Sequence, residues 1–102
     1  MNYIKLFEEF NESLNESVLP KAQELLDICE ETFPQLKEVG RGFPIRMTRT
    51  EIVIRWKGPG GLAIFKVEDV EGAPVITQFT VGERDVLSGG QQPLSGVKDI
   101  KF

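Results

Sequence analysis

The sequence predicts an α+β domain in which two N-terminal helices pack on one face of a four- to five-stranded antiparallel sheet. Three observations lead there. Apolar residues recur at helical spacing as far as Leu36, they alternate with period two from Phe43 onward, and short Gly/Pro-rich turns separate the strand-like runs. The 102 residues suffice for one modest core, so the chain reads as a single domain over 1–102. With 40% hydrophobic and 27% charged residues it is too apolar for a disordered polymer.

The first helix is carried by Tyr3, Phe7, Phe10 and Leu14, spaced at threes and fours, with Glu8, Glu9, Glu12 and Glu16 on its other faces. A second begins near Leu19, with Pro20 in its first turn, where a missing N–H costs nothing. Its stripe runs through Ala22, Leu25, Leu26, Cys29, Phe33 and Leu36, and Pro34 predicts a break near Thr32 because proline withdraws a donor and crowds the preceding turn. The stretch EVGRG closes the helical region.

From Phe43 the alternation predicts a strand with Phe43, Ile45 and Met47 on its apolar face. A turn near Arg49 then leads to Glu51–Lys57, with Ile52, Ile54 and Trp56 inward. KGPGG is a turn signal and Leu62–Glu68 a third strand. A fourth follows DVEGAP, with Val75, Thr77, Phe79 and Val81 sharing a face. Residues 82–96 read as a long glycine-rich loop of the kind that is functional or mobile, and VKDIKF as a returning edge strand.

A net charge of −4 conceals three blocks: −6 over residues 1–36, +5 over 37–66 and −3 over 67–102. The basic block contains the first hairpin, where Arg46, Arg55 and Lys57 are expected opposite its apolar face, with Arg49 at the turn. Such a cluster suits phosphates or an acidic protein surface. Phe43 and Trp56, assigned to the apolar face, are then unavailable for stacking on bases, which favours protein over nucleic acid.

Catalytic and metal chemistry find little support. The chain has no histidine and one cysteine, Cys29, on a helical stripe, which excludes an internal disulfide and leaves no evident activating base. KGPGG is followed by a strand rather than the helix a phosphate loop requires. Glu68, Asp69 and Glu71 would hold a divalent cation only if further oxygen ligands converged on them. No metal centre or other cofactor is expected, and no apolar run approaches the roughly 20 residues of a membrane helix.

The opening MNYIKLFEEFNESLNE, with Tyr3, Phe7, Phe10 and the closing Leu14-Asn15-Glu16, resembles the capsid-targeting leaders of internal head proteins from T-even-type tailed bacteriophages. The resemblance implies a leader over residues 1–16, cut between Glu16 and Ser17, that is a detachable or partner-binding helix; the alternative reading of the same residues is an integral helix that packs on the sheet through Tyr3, Phe7 and Phe10. Leu6-Phe7-Glu8 and Ile28-Cys29-Glu30 match the same tripeptide. It also implies a small phage-type protein in the bacterial cytoplasm or associated with the virion, with a phage structural protein or a host defence factor as partner. The expected function is therefore non-enzymatic protein binding through Arg46, Arg49, Arg55 and Lys57, with nucleic-acid binding by the same basic hairpin as the alternative.

Overall fold

The computed structural model describes residues 19–101. The predicted first helix, and the Glu16/Ser17 junction with it, lie outside the described residues.

Helix α1 spans Ala22–Thr32 and buries Leu25, Leu26 and Cys29, one face of an amphipathic helix. Pro20 precedes Lys21, the N-cap, so it stands before the first turn rather than in it. Glu24 in that turn complements the helix dipole. Proline acts where expected at the other end: α1 stops at Thr32, and Pro34 becomes the N-cap of the short helix α2, Gln35–Val39. The end of α2 rests directly on the sheet, since a Cβ on Gly40 would lie 2.4 Å from the Lys57 carbonyl carbon.

Strands β1 (Arg41–Met47), β2 (Glu51–Gly58), β3 (Gly61–Val70) and β4 (Ala73–Val81) form an antiparallel meander in sequential order. Two short strands, β5 (Arg84–Asp85) and β6 (Gln92–Pro93), both pair with β4. The stretch 82–96 is thus not one continuous loop. Asp85 organises its centre, its carboxylate accepting the N–H groups of Leu87 at 3.1 Å and Gly89 at 2.8 Å. Leu94–Asp99 is a 3₁₀ helix where the sequence suggested an edge strand. It buries Val97 in the common core, a task that a turn of helix performs without a ladder partner.

One face of the sheet carries the core. Ile52, Ile54 and Trp56 of β2, Ala63, Phe65 and Val67 of β3, and Ile76 and Phe79 of β4 pack with Leu25, Phe33, Leu36 and Val39. Phe79 stands at the centre, its ring 5.0 Å from those of Phe33 and Phe65. The expected face of Val75, Thr77, Phe79 and Val81 is corrected by a bulge. Pairing passes from Lys66↔Gln78 to Val67↔Ile76, leaving Thr77 as the extra residue and placing Ile76 and Phe79, three apart, on the core side.

Strand β1 brings a larger correction. Directly opposed residues share a face, and the register Gly42↔Trp56, Phe43↔Arg55, Pro44↔Ile54 puts Gly42 and Pro44 over the core and Phe43 outside. Trp56 is the physical cause. Its indole fills the space where a side chain at position 42 would stand, and a Cβ on Gly42 would meet Trp56 Nε1 at 2.3 Å. Phe43, Ile45 and Met47, assigned to the buried face from their alternation, are instead 41%, 45% and 65% exposed. Ile45 is the extra residue of a second bulge, after which Arg46 faces Val53.

Candidate functional site

The helices cover one side of the sheet, and the other side is the candidate site. Its composition follows from the pairing register, row by row across the strands. Arg41, Lys57 and Leu62 form one terminal row, followed by Phe43, Arg55, Ile64 and Thr80. The next holds Arg46, Val53, Lys66 and Gln78, and the far row Glu51, Glu68 and Val75.

Charge is graded along the strands. At the acidic end, Glu51 is the hub: Arg46 and Lys66 both pair with it, Lys66 Nζ at 3.3 Å, and Lys66 also lies 3.8 Å from Glu68. The two acids of that row and the two cations of its neighbour therefore offset one another. Arg41, Arg55 and Lys57 occupy the other half, beside Phe43, Leu62 and Ile64.

The predicted binding residues consequently separate. Arg55 and Lys57 share the basic half, whereas Arg46 is tied to Glu51 and Arg49 lies in the exposed turn between β1 and β2, at the opposite end from Lys57. Arg41, Phe43 and Lys66 belong to the same face and were missed.

Arg55 is the most constrained cation. Its guanidinium carbon stands 5.0 Å from the centroid of the Phe43 ring, a cation–π stack. Its Nε is shielded from solvent and makes no hydrogen bond among the described residues. The stack holds the guanidinium against the Phe43 ring on the side of the sheet away from the helices. It also covers one face of that ring.

The other candidate groups have structural employment. Asp69 accepts the Gly72 N–H at 2.9 Å and so shapes the β3–β4 turn, Glu68 faces Lys66, and Glu71 adopts a positive φ of 53° within that turn. No group of three or more metal-ligating side chains comes together among the described residues. Cys29 is buried among core residues, and burial raises its thiol far above the ordinary range, with the neighbouring Glu30 carboxylate adding to the effect. Trp56 Nε1–H, otherwise without a partner in an apolar core, donates to Glu30 Oε2 at 3.3 Å.

No protein-family model matches the chain, and no curated protein and no solved structure matches it either. Within the described residues no helix is long and apolar enough to cross a membrane.

Proposed function

We propose that this chain is a non-enzymatic binding protein that engages an acidic protein surface through the open face of its sheet. The observation that carries the reading is the grouping of Arg41, Arg55 and Lys57 with Phe43, Leu62 and Ile64 on a face that no described helix covers. Arginine and aromatic groups set among aliphatic ones are the composition of interface hot spots, and the unbalanced positive charge selects a partner bearing carboxylates. Arg55 is the central contact in this reading, already oriented by Phe43, so little side-chain entropy is lost when it is engaged. The resemblance of residues 1–16 suggests a phage structural protein or a host defence factor as that partner.

A photo-crosslinking amino acid placed at Leu62, with a second at Gln91 as an off-face control, tests the reading in phage-infected and uninfected bacterial lysates. The expected result is one discrete protein adduct from position 62 that is lost in Arg55→Glu. Equal capture from both positions, or capture indifferent to Arg55→Glu, defeats the proposal.

A second reading, binding of single-stranded nucleic acid, draws on the exposure of Phe43 beside three cations. The guanidinium lying over its ring argues for protein instead, because the ring offers less open surface for stacking a base. Electrophoretic shift at low salt separates the two readings. A nucleic-acid complex would weaken steeply as salt is raised, with a slope that falls by about one for each phosphate-contacting cation removed.

A further inference from the structure

We propose that the cleft between strand β4 and the 85–90 loop binds a neutral polyhydroxyl ligand the size of a single pyranose ring, at a site separate from the basic half of the sheet. Two interruptions of one strand edge build this cleft. The β4 bulge sets two polar residues, Thr77 and Gln78, between the core residues Ile76 and Phe79. The outer edge of β4 is paired near its ends, with β5 at Thr80 and Val81 and with β6 at Val75 and Ile76. Between those pairings the chain touches the strand through the Val86 N–H, which donates to the Phe79 carbonyl at 2.8 Å, and then turns away. What remains is a cleft of about 190 Å³ lined by Thr77, Gln78 and Thr80 of β4 and by Asp85, Leu87 and Gly89 of the loop.

One hydroxyl of this cleft is left over. Thr77 Oγ1 is shielded from bulk solvent and has no hydrogen-bond partner among the described residues, a condition that costs stability unless a bound molecule supplies the partner. The groups around it define that molecule. Thr77 and Thr80 carry hydroxyls that both donate and accept, the Gln78 amide does both, and the Asp85 carboxylate accepts. Asp85 is already held by the Leu87 and Gly89 N–H groups, so its remaining lone pairs are offered with little loss of side-chain entropy. No lysine or arginine lines the cleft, so a phosphate or a carboxylate finds no countercharge there. A bare cation would leave most of the space unfilled, since one water already takes about 30 Å³ of liquid, and drug-sized ligands need roughly 300 Å³ or more. A ring of hydroxyls matches both the size and the mixed donor–acceptor set, with Leu87 available to its C–H surface. Because no aromatic ring is present to stack on a sugar, affinity on the order of millimolar is expected.

The test is a heteronuclear NMR titration of the full chain with glucose, mannose and galactose, and in a second arm with their methyl α-glycosides. The expected result is a saturable shift of the Thr77, Gln78, Leu87 and Gly89 amides with at least one of them. Response to the free sugars alone assigns a free monosaccharide, and response in both arms assigns the terminal residue of a glycan chain. Thr77→Val keeps the branched shape and removes the orphaned hydroxyl, so it is expected to weaken binding about ten-fold without lowering Tm. Gln78→Ala, which leaves the bulge residue in place, is expected to weaken binding as well. No saturable shift with any of the six compounds would overturn the proposal, as would shifts centred on Arg55 and Lys57 or an affinity unchanged in both variants.

Discussion

Strand β2 carries two chemistries on one backbone, and comparing them shows what each side of the sheet is for. Ile52, Ile54 and Trp56 are buried in the common core with residues of both helices. Val53, Arg55 and Lys57, one position displaced, face outward into rows where charge and hydrocarbon alternate. Burial on the first side has satisfied its polar groups: the indole N–H reaches Glu30, and no charged side chain is buried among the described residues. On the second side Arg55 Nε has no hydrogen-bond partner among the described residues, and Phe43, with that guanidinium over its ring, is 41% exposed. One face is optimised for stability, and the other retains unspent interactions.

The comparison can be broken most forcefully from the core. Phe79→Ala removes the ring that joins Phe33 and Phe65, and it is expected to cost about 3–5 kcal/mol. For a domain of this size that lowers Tm by well over 10 °C, as measured by calorimetry. Gly42→Ala comes next. The added Cβ collides with the Trp56 indole, and the expected destabilisation is about 1–3 kcal/mol with a shift in tryptophan fluorescence. An unchanged Tm for Gly42→Ala would contradict the β1 register and return Phe43 to the interior.

Substitutions on the outer face sharpen the contrast because stability and binding should part company. Arg55→Met retains hydrophobic contact with Phe43 and removes a shielded, unpartnered donor, so denaturation is expected to move by no more than about 0.5 kcal/mol. Partner affinity in the same variant is expected to fall by at least about ten-fold, or about 1.4 kcal/mol. Glu51→Gln dismantles the ion-pair hub, and because Arg46 is largely exposed its effect on stability should stay below about 1 kcal/mol and shrink with added salt.

The smallest effect concerns alkaline pH. The Cys29 thiol is raised in the folded state above its ordinary value of 9.0, so the unfolded chain loses its proton first. The associated stability is fully present below pH 9 and declines above it. Urea unfolding at pH 8 and pH 10 should register the decline, and Cys29→Ala should remove that part of it.

Much of the core was legible along the chain. The stripe Leu25, Cys29, Phe33, Leu36 is helical in period, Pro34 divides the helices as its missing donor demands, and Ile52, Ile54 and Trp56 alternate as a half-buried strand should. The site was read less well. Alternation alone placed Phe43 inward, and two bulges, at Ile45 and Thr77, changed which residues share a face. A bulge leaves no compositional mark in a strand, yet it inverts every facing beyond it. Arg46 and Arg55 looked equivalent as neighbouring basic side chains, but pairing across three strands placed one against Glu51 and the other over Phe43.

By itself the sequence determined the α+β class, the division of the helices at Pro34, the four-stranded meander and the concentration of positive charge in its middle third. Each of these depends on neighbours within a few positions, through helical period, turn chemistry and composition. Only the tertiary structure decided that Phe43 stands outside beside Arg55, that Gly42 yields its space to Trp56, and that Arg46 is spent on Glu51. Those outcomes depend on cross-strand register and on the volume of a single indole, which bring together residues far apart in the chain.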